Sequence, residues 1–244
     1  MVDTDFTSMG IIDIKKSIPE VEIFLKKHSK REDYDEDTYN NFINYLINNN
    51  CNREISYYNN MEYYNKESYC NHLKKYKHYI KKHKQNKKAN ISPRKPKRDN
   101  KHCWIHLHHV NENKFPNLGS PISIYKNFDK YKQNNYEKNE SNFYENFWKY
   151  ENQDHNNIVP CNVLEHTVLH AIILIVYGVK IYGNDNKNGR NFSNGYSSLE
   201  KKIYNFYNKI EFKKYIYDAD KDIMCSKKRV LEILDQLKEI VDNK

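Results

Sequence analysis

The chain predicts an α+β protein, a small strand-and-helix core embedded among additional α-helices, and three observations carry that expectation. Residues Cys103 to Val110 place Trp104, His106 and His108 in alternation with Ile105, Leu107 and His109, the period-two signature of a strand. The run Val163 to Val176 reads as a buried helix with its own start signal at Asn162. Amphipathic spacing near both ends of the chain adds further helices.

At the N-terminal end, 14–27 and 38–48 are helix-like, with Val21, Ile23, Phe24, Phe42, Tyr45 and Leu46 as apolar contacts. Pro19 in Ser17-Ile-Pro-Glu is placed as a first-turn proline, so the first helix is expected to begin there. Segment 72–98 holds ten Lys and two Arg with no acidic residue, a local charge of +12 within a chain whose net charge is +9. The rest of the chain is therefore slightly acidic. Two prolines between 89 and 100 mark a linker.

Beyond the strand, Asn117-Leu-Gly-Ser-Pro-Ile is a glycine-bearing turn, and an insertion near 120–150 carries Phe128, Tyr131, Tyr136, Phe143, Tyr144, Phe147, Trp148 and Tyr150. Asn162 then stands as N-cap with Glu165 at capping-box spacing. His166 and His170, four residues apart, project from one side of that helix, while Leu164, Val168 and Ile172 point inward. The apolar stretch 172–179 is too short for the roughly 20 residues that span a bilayer. Residues 181–195 hold three of the six glycines among asparagines, an exposed loop. The last helix is expected to start with Ser226 as N-cap and to bury Val230, Ile233, Leu234, Leu237, Ile240 and Val241, against the core or in a homodimer.

Four segments result: a helical region 1–71, a basic arm and linker 72–99, a core 100–180 containing the insertion, and a loop with C-terminal helices 181–244. The mean hydropathy of −1.04 is low, but 14% aromatic residues and several apolar patches provide for a core. Asn, Lys, Tyr and Ile are abundant, as an AT-rich coding sequence produces. That bias does not explain why acids are excluded from 72–98. Five cysteines without framework spacing point to a reducing compartment, and no apolar signal segment precedes Ile11, so an intracellular location with no membrane role is expected.

The basic arm attracts a polyanion. Its candidate phosphate contacts are Lys74, Lys75, Lys77, Lys81, Lys82, Lys84, Lys87, Lys88, Arg94, Lys95, Lys97 and Arg98. Tyr76 and Tyr79 lie among them, either to stack on bases or to form a helix stripe with Leu73, Ile80 and His83. A solvated charge run is the plain alternative. The histidines favour the functional reading, because metal-assisted phosphodiester hydrolysis requires a few ligands and a base that titrates near neutral pH, as a free imidazole does at about 6.5.

His108-His109-Val110, then Asn157-Ile158-Val159, then Glu165-His166-Thr-Val-Leu-His170 together resemble the HNH (His-Me finger, ββα-metal) endonucleases, and the step from Asn157 to His166 resembles the spacing in colicin-type DNases. The resemblance implies a ββα-metal core, with His108, His166 and His170 as metal ligands and His109 as general base. Asn157 would fix the loop and the base, or in some relatives ligate the metal. It also implies one divalent ion, Mg²⁺ first, with Mn²⁺, Ni²⁺ and Zn²⁺ open because imidazoles are softer donors than Mg²⁺ prefers. The expected activity is hydrolysis of double-stranded DNA by a site-specific endonuclease, homing or restriction type. Two departures stand out: the connection from Val110 to Asn157 is long, and no paired Cys-x-x-Cys motif is present. Cys103 and Cys161 would need His102 or His106 to complete a structural site. The alternative is a non-catalytic nucleic-acid-binding protein with such a His/Cys metal site.

Overall fold

The computed structural model describes residues 4–50, 106–118, 121–133, 138, 141–178, 195–205 and 221–242. The basic arm, the linker, the loop after residue 180, His102 and Cys103 lie outside the described residues. The chain is mostly helical with a small two-stranded antiparallel sheet. In chain order the elements are α1 (Thr4–Lys27), α2 (Glu36–Asn50), β1 (His106–His109), α3 (Pro121–Lys132), α4 (Ser141–Phe147), β2 (Ile158–Cys161), α5 (Val163–Tyr177), α6 (195–205) and α7 (Lys221–Asp242). They fall into two compact units, one of Met1–Asn48, Asp99–His106 and Pro160–Lys244, the other of Asn49–Arg98 and Leu107–Val159.

In the first unit α1, α5 and α7 pack against one another. Helix α5 is buried on nearly every side: Leu164, Val168, Leu169, Ile172 and Ile173 are all inaccessible to solvent. Each such side chain contributes about 1.5–3 kcal/mol on leaving water. Around it lie Ile18, Val21 and Leu25 from α1, and Val230, Ile233, Leu234, Leu237 and Ile240 from α7, all buried at helical spacing. Helix α2 is anchored by Phe42, Ile43 and Leu46, and its Tyr39 ring meets Tyr177 edge-on at 5.9 Å.

Asn162 caps α5 as expected. Its side-chain oxygen accepts from the Leu164 and Glu165 backbone N–H groups, and the Glu165 carboxylate accepts from the Asn162 N–H at 2.8 Å. The Asn162 amide also donates to Ser17 Oγ at 2.9 Å, which fixes the start of α5 to α1.

Three expectations about helix ends and faces are corrected. Helix α1 begins at Thr4 rather than near Ser17, so Pro19 sits inside it. The proline ring is on the exposed side, and burial of Ile18, Val21 and Leu25 offsets the hydrogen bond that proline cannot donate. Ile23, expected to be an apolar contact, is 67% exposed because it projects away from the side that carries Val21 and Leu25. Helix α7 begins at Lys221, five residues before Ser226, which is therefore an interior position and not the N-cap. Serine is a strong cap but a tolerated helix residue, so packing of the following apolar stripe outweighs the local signal.

The second unit is built on aromatic packing between α3 and α4. Leu118, Ile124 and Phe147 form its buried centre, with Phe115, Phe128, Phe143, Trp148 and Tyr150 packed around them. The insertion is thus a small helical module with its own core. Asn117 adopts φ 64°, the left-handed conformation that asparagine tolerates better than most residues, within a turn at 116–118. The boundary between the two units falls inside both strands, after His106 in β1 and after Val159 in β2.

Candidate metal centre

Strand β1 consists of His-Leu-His-His, and a 3-10 turn at Val110–Asn113 follows it at once. The turn is held by the Lys114 and Phe115 N–H groups, which both donate to the Asn111 carbonyl, and by the Asn111 amide donating to Asn152 Oδ1 at 3.0 Å. It folds Glu112 back toward the strand it has just left. One carboxylate oxygen, Oε2, lies 3.6 Å from His108 Nδ1 and 3.9 Å from His109 Nδ1. Alternation along a strand sends neighbours to opposite sides, which assigned the two imidazoles separate surroundings. At the strand end the turn brings both to the same carboxylate, and both rings are buried.

His109 has a second fixed neighbour. Its Nε2 lies 3.3 Å from Gln153 Oε1, while Gln153 Nε2 donates to the Leu118 carbonyl at 3.2 Å. The Leu118 contact orients the glutamine amide with its oxygen toward His109. His109 Nε2 is therefore the donor nitrogen, and in the neutral ring Nδ1 carries the lone pair.

On α5, His166 and His170 stack one turn apart with ring centroids 4.8 Å from each other. His166 Nδ1 meets His106 Nδ1 at 2.8 Å. His106 is also tied to β2, since its carbonyl accepts from the Cys161 thiol at 3.7 Å. Burial pushes the His170 pKa down to about 4, and the charges of His106 and Lys202 act in the same direction. His170 is consequently neutral at physiological pH, the form in which imidazole binds metals. Gly195, at the start of α6, lies against this ring: a Cβ there would come within 2.5 Å of His170 Nδ1.

Each unit carries candidate donors of its own: His166 and His170, with His106 against His166, in the first, and His108, His109 and Glu112 in the second. Imidazole and carboxylate are recognised donors for divalent transition metals.

The structure thus brings His166 and His170 together on α5, and His108 and His109 together at Glu112. Asn157 is elsewhere: its amide donates to the Glu151 carbonyl at 2.8 Å and its N–H to the Asp154 carbonyl, so it closes the turn that precedes β2. Gln153 makes the contact to the His109 ring. Cys161 is a buried thiol that donates to the His106 carbonyl. Glu112 and Gln153 were missed in the sequence, and His106 was read there only as a residue that could complete a site with Cys103 and Cys161. Glu112 had one available signal, its i,i+4 spacing from His108, but that spacing has meaning only in a helix or turn, and the segment reads as a strand.

No family profile, curated protein or solved structure matches this chain. Among the described residues, no helix is long and apolar enough to cross a membrane.

Proposed function

We propose that the chain is a metal-dependent DNA endonuclease of HNH type, with β1, β2 and α5 as a ββα-metal core. The observation that carries this reading is His109, held between Glu112 and Gln153 beside His108, and what adds to it is the His166–His170 pair one turn apart on α5. In this assignment His108, His166 and His170 hold one divalent ion. His109 takes the proton of the attacking water on Nδ1, with Nε2–H retained by Gln153. When bound, the ion supplies stabilisation of the charge that develops on the phosphate and on the leaving 3′ oxygen. Asn157 acts at a distance, by closing the turn ahead of β2. The basic segment 72–98 provides sequence-independent attraction to the DNA backbone, and that segment together with the N-terminal helices supports a site-specific rather than a general nuclease.

The test is cleavage of supercoiled plasmid by the wild type and by His109→Ala, with Mg²⁺, Mn²⁺ or EDTA. Cutting that needs a metal and disappears in the variant, while DNA binding persists, is the expected result. Discrete products would mark site specificity, and a smear would mark general degradation.

One observation favours a second reading, a nucleic-acid-binding protein with a structural metal site. His108 and His109 are buried, which suits ligands of a structural ion better than a base that must reach a substrate. Under this reading no metal produces cutting, DNA binding is equal in wild type and His109→Ala, and removal of the metal lowers the melting temperature.

A further inference from the structure

We infer that Glu112 is a positioning residue: together with Gln153 it gives the neighbouring imidazoles of His108 and His109 opposite tautomers, so that His108 presents Nε2 and His109 presents Nδ1. All four residues belong to the second unit; the inference deepens, and rests on, the roles proposed for the pair above. A neutral imidazole has one hydrogen and one lone pair, and the acceptors around it decide which nitrogen carries which. His109 is settled by Gln153, whose Oε1 faces Nε2 at 3.3 Å and whose own amide is directed by the Leu118 carbonyl. Glu112 Oε2 faces Nδ1 of both rings, at 3.6 Å from His108 and 3.9 Å from His109. An ionised carboxylate only accepts, so it favours a ring with the hydrogen on the facing nitrogen. With His109 committed to Nε2–H and His108 nearer, the ring that turns an N–H toward Glu112 is His108. At this separation the attraction is electrostatic rather than a full hydrogen bond. It acts on a ring with no solvent access, where water does not screen it.

The insertion holds both acceptors in place. Asn152 and Gln153 are consecutive in the 3-10 turn Tyr150–Gln153. Asn152 Nδ2 donates to the Asn146 and Phe147 carbonyls of α4, at 2.8 and 3.2 Å, while Asn152 Oδ1 accepts from Asn111, the residue before Glu112. Gln153 reaches Leu118 in the buried centre of the same module. One turn therefore anchors the carboxylate that faces His108 and the amide that faces His109. This gives a task to the long connection between Val110 and Asn157, which the HNH resemblance leaves unexplained: it is the layer that orders the histidine pair. Opposite tautomers suit opposite tasks, a ligand through Nε2 and a base through Nδ1.

The metal-free full chain, labelled with ¹⁵N, is read by long-range ¹H–¹⁵N correlation of its imidazole rings at about pH 8, above the ordinary imidazole pKa. His108→Gln and His109→Gln assign the signals. Wild type is expected to show His108 as the Nδ1–H form and His109 as the Nε2–H form. Glu112→Leu should move His108 away from the Nδ1–H form and leave His109 as it is. Glu112→Gln, which keeps an oxygen acceptor, should retain Nδ1–H on His108. Circular dichroism checks folding, and the wild-type spectrum decides by itself should Glu112→Leu not fold. His108 found as Nε2–H in the wild type, or unmoved in a folded Glu112→Leu, overturns the inference; metal-dependent plasmid cutting by the same wild type then leaves the nuclease proposal standing. The expected tautomers without cutting by any metal overturn the nuclease proposal alone.

Discussion

His106 and His166 meet through their Nδ1 atoms, 2.8 Å apart. One of the two nitrogens must carry the hydrogen. If His166 donates, its Nε2 keeps a lone pair for an ion, and if His106 donates, His166 Nε2 is protonated and closed to coordination. A bound metal selects the first arrangement, so His106 is a positioning residue for His166. His106→Ala should lower Co²⁺ affinity by roughly 10–100-fold while leaving the number of bound ions and the coordination spectrum unchanged. A competition titration measures this, and a variant that binds as tightly as wild type refutes the role.

Gly195 sets the other α5 ligand. A methyl group at this position would sit 2.5 Å from His170 Nδ1 and 2.9 Å from Cε1, so the ring or the start of α6 must move. Gly195→Ala is expected to cost about 1–3 kcal/mol of stability through overpacking, and to weaken metal binding in addition. Urea unfolding of the metal-free protein separates the first effect from the second. Equal metal affinity in the variant would show that the ring of His170 is free to adjust.

Gln153 is expected to matter through His109. Gln153→Leu removes the acceptor for Nε2–H and with it the preference for a lone pair on Nδ1. Under the proposed function, single-turnover cleavage should fall by about 10²-fold, within the range that general-base catalysis supplies, and plasmid affinity should not change. Gln153→Glu restores an acceptor and should recover part of the rate. Identical rates in all three proteins would exclude a role for Gln153.

The ion pair between Arg229 on α7 and Glu22 on α1 predicts an acid-dependent loss of stability. The guanidinium binds both carboxylate oxygens, at 2.8 and 2.6 Å. Its hydrogen bonds hold the Glu22 carboxyl below the usual carboxylate range against the opposing effect of burial. A carboxylate with a lowered folded pKa stabilises the protein above its unfolded pKa, and that contribution disappears as pH falls through the folded value. Both groups are partly exposed, so Glu22→Gln should cost only about 0.2–1 kcal/mol near pH 7. Urea unfolding at about pH 7 and at about pH 3 should show the difference between wild type and variant shrinking toward zero in acid. A difference that grows in acid would contradict the assignment.

Much of the first unit was legible because its signals are local. The Asn162 cap, the Glu165 reply and the four-residue step between His166 and His170 lie within one or two helical turns, where hydrogen bonds and side-chain directions follow from spacing alone. The apolar stripe of α7 was legible for the same reason. The starts of α1 and α7 were not, because Pro19 and Ser226 carry local preferences that packing overrides. The insertion could be recognised by its aromatic residues, but their assembly around Leu118, Ile124 and Phe147 depends on how α3 and α4 cross.

The sequence by itself determined which imidazoles are on one side of α5, where that helix begins, and that a polycationic segment precedes the histidine-rich strand. Tertiary structure decided which groups those imidazoles meet: His106 on His166, Gly195 against His170, Gln153 on His109, and Glu112 beside both members of the His108–His109 pair. The physical reason is one of range. Caps and helical spacing are written in bonds between residues three or four apart, whereas these partners are brought together by a turn, a small sheet and a buried helix whose stability comes from apolar burial spread over the chain.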